Sequence, residues 1–119
     1  MSKKPESVFR ARFDKFLKQI PKSFFISVQQ ASLSGHPDKV GTINGYGVFL
    51  ELKRKGLRLK LGENGATKLQ NYHLSKFRMA GAYAEVVRPE NYERVLVDLM
   101  QLANGEKTPD ELQKETIYG

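Results

Sequence analysis

The 119-residue chain contains no cysteine. That removes disulfides and thiolate zinc sites, and it fits a reducing compartment. No apolar run approaches the roughly 20 residues needed to span a bilayer. The opening residues, Met1-Ser2-Lys3-Lys4-Pro5, place lysines before no apolar core, so no signal peptide is expected. Internal repeats, low-complexity tracts and a composition shift that would mark a domain boundary are also missing. What remains is an ordinary globular composition, 39% hydrophobic and 28% charged, in a length that suits one domain with a modest core.

Acidic residues are the minority charge. Thirteen carboxylates face twenty lysines and arginines, giving a net charge of +7. Part of the excess is clustered at Lys53, Arg54, Lys55, Arg58 and Lys60. A polyanion such as DNA or RNA is the natural partner of that surface, because neutralised phosphates release condensed counterions. Solubility alone is the plainer explanation of the same charge.

Residues 5–20 place Phe9, Phe13, Phe16, Leu17 and Ile20 at helical spacing, with Pro5 at the first position and Pro21 as the stop. Glu6, three residues before Phe9, falls on the inner stripe of that helix; the plainer role for it is to complement the helix dipole. Residues 24–30 read as a strand with Phe24, Ile26 and Val28 on one face. Residues 38–43 and 46–53 read as a hairpin closed by Asn44-Gly45, the strongest short-range hairpin signal. Residues 54–66, basic and punctuated by Gly56, Gly62 and Gly65, read as a loop. A second helix from Thr67, with Leu69, Tyr72, Phe77 and Ala80 inward, is expected to stop at Gly81. A short strand over 82–87 and a helix over 90–103 striped by Tyr92, Val95, Leu96, Leu99 and Leu102 follow. Thr108-Pro109-Asp110-Glu111 looks like the capped start of a short final turn or helix. The order is α-β-β-β-α-β-α, an α/β domain with a mixed central sheet flanked by helices over residues 1–105 and a tail over 106–119.

The hairpin concentrates chemistry. With Asn44 and Gly45 in the turn, Ile43 faces Tyr46, Val40 faces Phe49 and Asp38 faces Glu51. Lys53 leaves the same face two residues on. Two like charges directly opposed cost stability unless something positive sits between them, and a divalent cation with an ammonium would do that. A hard cation such as Mg²⁺ takes one or two carboxylates, and the Leu52 carbonyl lies between the two side chains that face the site. The bland alternative is a surface hairpin whose Glu51 and Lys53 are merely solvated.

In this order, Gly35-His36-Pro37-Asp38, the Asn-Gly hairpin, Glu51-Leu52-Lys53, and Gln70-x-x-x-Leu74 followed by Ala80-Gly81, the chain resembles the PD-(D/E)XK nuclease superfamily. More narrowly, it resembles the virus-type replication-repair nuclease domains that occur alone in phages and within larger repair enzymes. The resemblance covers roughly residues 6–88. It implies a restriction endonuclease-like fold and hydrolysis of DNA phosphodiester bonds with Mg²⁺ or Mn²⁺, in the cytoplasm of a bacterial or phage-infected cell. It further implies that Asp38 and Glu51 hold the metal, helped by Leu52 and by Glu6 from the first helix. Lys53 would orient water or stabilise charge on the phosphate, since neighbouring carboxylates favour its charged form over a role as base. Gln70 would stand beside the metal, although Thr67-x-x-Gln70 is equally a capping box. Arg54, Lys55, Arg58 and Lys60 would contact flanking phosphates. His36 suits a loop or substrate contact better than a ligand, because Mg²⁺ favours oxygen, and His73 reads as an ordinary helix residue.

Similar single-domain members cleave Holliday junctions as dimers, so branched DNA as substrate and a homodimer are expected. The alternatives are a nicking or end-processing nuclease without junction preference, an RNA-directed enzyme, and a DNA-binding module of the same fold without catalysis.

Overall fold

A computed structural model describes residues 5–28, 37–53 and 64–115. The elements are α1 (Pro5–Leu17), β1 (Ser23–Ser27), β2 (Lys39–Ile43), β3 (Tyr46–Leu52), α2 (Lys68–Met79), β4 (Tyr83–Val87), α3 (Tyr92–Ala103) and α4 (Pro109–Glu115). The strands form one sheet in the order β1-β2-β3-β4, antiparallel through the first three and parallel between β3 and β4. The expected mixed sheet flanked by helices is therefore present. Residues 54–63, expected as a basic loop, lie outside the described residues, as does the segment that holds Gly35 and His36.

The Asn-Gly turn sets the register. Asn44 and Gly45 have φ of 50° and 86°, the left-handed pair that a two-residue hairpin with right-twisted strands requires. Ile43 then pairs with Tyr46, Val40 with Phe49 and Lys39 with Leu50, without a bulge. Gly41 serves the other side of β2: a Cβ there would lie 2.1 Å from the Phe24 carbonyl oxygen. Only glycine lets β1 approach this closely.

Alternation divides the sheet into two faces. Ile43, Val48, Leu50, Leu52, Tyr83 and Val87 point into the main core with Phe9, Phe13 and Leu17 of α1, Val95, Leu99 and Leu102 of α3, and Leu112 of α4. Ala84 and Val86 meet Leu74 of α2 on the opposite face, and Phe49 stacks on Phe77 at 3.7 Å between ring centroids. Among the described residues that second layer covers β3 and β4, and Phe24 and Ile26 of β1 are 72% and 52% exposed.

Three boundaries differ from expectation by two or three residues, and one face differs. α1 ends at Leu17, and residues 18–20 close in a tighter turn with Gln19 N–H donating to Phe16 and Ile20 N–H to Leu17. A residue preceding proline is pushed out of the helical region, so the pattern cannot run to Pro21. β1 stops at Ser27, three residues short of Gln30. α3 begins at Tyr92, after an Asn91 side chain that bridges Arg88 N–H and the Val86 carbonyl. On α2, Leu69, Tyr72 and Ala80 are exposed; the inward row is Gln70, His73, Leu74 and Phe77. Thr67 fixes the first turn and hence the phase of the helix, and apolarity of single residues did not.

Side chains cover the outer edge of β4. Gln113 of α4 accepts from Ala84 N–H at 2.9 Å and donates to the Ala82 carbonyl at 2.9 Å. Arg78 Nε donates to the Ala84 carbonyl, and Glu85 accepts from Val86 N–H. The amide of Gln113 thus replaces a neighbouring strand, blunting an edge that would otherwise template pairing. Glu85, almost fully buried, is held by Arg94 at 3.1 Å and Arg78 at 3.6 Å, and Asp98 accepts from the Tyr83 hydroxyl at 2.7 Å. Burial raises the Asp98 carboxyl, and those donors pull against it.

Candidate active site

The hairpin carries its chemistry to the end of the sheet where β2 begins and β3 finishes. Extending the ladder one step beyond Lys39–Leu50 puts Asp38 opposite Glu51. The Asp38 carboxylate accepts from Leu52 N–H at 2.8 Å, and its own carbonyl accepts from Val28 N–H at 2.9 Å. Asp38 is thereby fixed by backbone on both sides, which gives a short side chain a single position.

Glu51 is the deepest member, with its side chain 5% exposed. Burial, then the hydrogen bond and negative charge of Asp38 beside it, push its carboxyl up to about 8. The Lys53 ammonium lies 3.8 Å from Glu51 Oε1 and works in the opposite direction, as does Arg10. Glu51 Oε2 is buried without a hydrogen-bond partner. A buried carboxylate oxygen left that way is costly, and such an atom calls for a proton or a cation. The expected trio of Asp38, Glu51 and Lys53 is therefore brought together, and Lys53 does leave on the Glu51 side.

Arg10 of α1 was not singled out by sequence reasoning. One of its terminal nitrogens lies 3.3 Å from both Asp38 Oδ2 and the Leu52 carbonyl oxygen. Glu6 stands one helical turn before Arg10 on the same element, and its side chain lies outside the described part. A signal was available: an arginine four residues after an acidic residue on the helix expected to border the site.

Arg88 is a second addition. Lys53 N–H donates to the Val87 carbonyl at 2.8 Å, which continues the parallel ladder by one step and puts Arg88 beside Lys53. Its Nε is buried without a hydrogen-bond partner. Gln70 goes elsewhere. Its Oε1 accepts from Thr67 N–H at 2.8 Å while Thr67 Oγ1 accepts from Gln70 N–H at 3.1 Å, the full capping box. The basic residues Arg54, Lys55, Arg58 and Lys60 lie outside the described residues.

A cleft of about 330 Å³ adjoins Asp38, lined by Arg10, Ala11, Asp14, Ser27, Val28, Asp38 and Lys39. Lys39 is buried in its wall, paired with Asp14 at 2.6 Å and Ser27 Oγ at 2.5 Å. A larger cleft of about 440 Å³ shares that wall but runs along β1, away from Glu51.

The donor set fits a hard divalent cation. Asp38 and Glu51 offer carboxylate oxygen, the Leu52 carbonyl is adjacent, and Glu51 Oε2 is without a partner. Among the described residues no group of three or more histidine, cysteine or carboxylate side chains is placed to hold a metal ion.

Among the described residues no helix is long and apolar enough to cross a membrane. Comparison with protein-family models, with curated proteins and with solved structures finds no match to this chain.

Proposed function

We propose that the chain is a divalent-metal-dependent endonuclease of the PD-(D/E)XK type, hydrolysing DNA phosphodiester bonds at the Asp38–Glu51–Lys53 end of the sheet. The observation that carries this is the buried Glu51 with one partnerless oxygen, set against a backbone-fixed Asp38, with Lys53 on its open side. A sheet stabilised for its own sake would not oppose two carboxylates there. The order of elements and the parallel β3–β4 pair with α2 between them are compatible with that fold.

Asp38, Glu51 and the Leu52 carbonyl are the groups that would hold Mg²⁺ or Mn²⁺. When bound, the cation supplies Lewis-acid polarisation of a phosphate and eases deprotonation of water. Lys53 offers its ammonium to the charge that develops on the phosphate oxygens, and Arg88 beside it extends the cationic rim. The floor of the site is backbone and packed strand, which keeps these groups from shifting as charge builds. The net charge of +7 favours a nucleic-acid strand over a small phosphate ester as the partner.

We extend the reading to branched DNA cut by a homodimer, because one chain of this size carries one such site and paired nicks on a four-way junction need two. Labelled four-way junction, linear duplex and single-stranded DNA, each with Mg²⁺, Mn²⁺ or EDTA, provide the test. Metal-dependent cutting concentrated at the junction is expected. Equal cutting of all three substrates would remove the junction preference and leave the nuclease. Binding without cutting under either metal would favour the second reading, a DNA-binding module. That reading draws on the Arg10 guanidinium already placed against Asp38.

A further inference from the structure

We infer that Arg10 is an internal competitor of the divalent cation, occupying the oxygen pair that the cation needs and so setting the metal concentration at which the site becomes active; this rests on the metal-site reading above. A single guanidinium nitrogen lies 3.3 Å from Asp38 Oδ2 and 3.3 Å from the Leu52 carbonyl oxygen. Those atoms lie on the two arms of the hairpin, Asp38 just before β2 and Leu52 at the end of β3. They are groups that would hold the cation, so the guanidinium and the cation would compete for the same oxygens.

The chemistry of the alternatives makes the exchange feasible. Arginine is permanently charged, so it neutralises Asp38 whenever no metal is present and eases the repulsion from Glu51. Its contacts with Asp38 Oδ2 and the Leu52 carbonyl, both 3.3 Å, are long for charge-assisted bonds, which lie nearer about 2.8 Å. Its side chain is 36% exposed, so the guanidinium can withdraw into water or into the adjoining cleft, whose wall it already forms. Glu51 has the Lys53 ammonium 3.8 Å from its Oε1, while its Oε2 is without a hydrogen-bond partner. Arg10 thus sits against Asp38 and leaves Glu51 Oε2 open. A cation that displaces it also leaves a guanidinium beside the site, where a substrate phosphate would meet it.

The test measures metal binding to the whole protein, without DNA, by isothermal titration with Mn²⁺ for the wild type, Arg10→Met and Arg10→Lys. Circular dichroism and melting in EDTA establish that each variant folds. Arg10→Met keeps the length and apolar stem but removes the charge, so its dissociation constant for Mn²⁺ should fall roughly twofold to fivefold, the scale of losing one part-exposed ion pair. Arg10→Lys keeps the charge on a more compact head that cannot bridge two oxygens in the same way, and should fall between the two. At saturating Mn²⁺, Arg10→Met should nevertheless cleave more slowly than wild type, since the displaced guanidinium no longer meets the phosphate. Equal or weaker Mn²⁺ binding by Arg10→Met than by wild type would overturn the competition and assign Arg10 to supporting Asp38, with the metal site intact. Binding by neither protein would overturn the metal-site reading and the competition with it.

Discussion

Glu51→Gln should change how the stability of the metal-free protein depends on pH, and by an amount set by the burial of one carboxyl. The Glu51 side chain is raised from an ordinary 4.5 to about 8 by burial first and Asp38 second. An acid raised on folding holds its proton more tightly in the native state. Its contribution is therefore complete below pH 4.5 and is lost as pH climbs through 8. Between pH 6 and pH 9 the linkage relation makes that loss about 2.7 kcal/mol, at about 1.36 kcal/mol per power of ten in proton affinity, and water entering the site would reduce it toward about 2 kcal/mol. Glutamine keeps the shape and never ionises, so the variant should lack this loss. The assay is urea unfolding in EDTA at pH 6, 7, 8 and 9 for both proteins, compared as a difference so that titrating groups remote from Glu51 cancel. Equal losses over the window in wild type and variant would refute the burial argument. Added Mn²⁺ should restore wild-type stability at pH 9 and leave Glu51→Gln much less affected.

Other consequences follow from the same geometry. Asp38→Asn and Lys53→Ala should each lower cleavage by at least about a hundredfold, the scale of losing one preorganised electrostatic group, while band-shift affinity for DNA changes little. Arg88→Ala should do the reverse, weakening DNA binding and reducing the slope of affinity against salt by about one phosphate contact, measured by fluorescence anisotropy across a salt series. Gly41→Ala forces a Cβ to 2.1 Å from the Phe24 carbonyl and should destabilise by about 2–4 kcal/mol or prevent β1 from pairing, read from chemical denaturation. Gln113→Ala strips its hydrogen bonds from the β4 edge and should cost about 1–3 kcal/mol in the same assay.

The hairpin was legible because its information is local. Asn-Gly dictates the turn, the turn dictates the register, and the register places Asp38 against Glu51 with no help from the rest of the chain. Alternation then assigned Val48, Leu50 and Leu52 to the core correctly. The inner face of α2 was not legible in the same way. Leu69 and Tyr72 are apolar, yet among the described residues the helix packs on β3 and β4, and its first turn is set by the Thr67 cap. Arg10 escaped because its role depends on where α1 lies over the end of β3, a distance of 42 residues in sequence to Leu52. The edge amide of Gln113 escaped for the same reason: no short-range pattern marks a glutamine that substitutes for a strand. Gln70 had two readings in the sequence, a site residue and a cap, and its hydrogen bonds with Thr67 form the cap.

The claim on which the rest depends is that Asp38 and Glu51 serve a metal that acts on DNA. Its most direct measurement is the initial rate at which 5′-labelled four-way junction is cut by wild type and by Asp38→Asn, with Mg²⁺ and with EDTA. Cutting by the wild type in Mg²⁺ alone, lost in Asp38→Asn, is the predicted result. Cutting that persists in EDTA or in Asp38→Asn would contradict it, as would no cutting by a wild-type protein that is folded and bound to the junction.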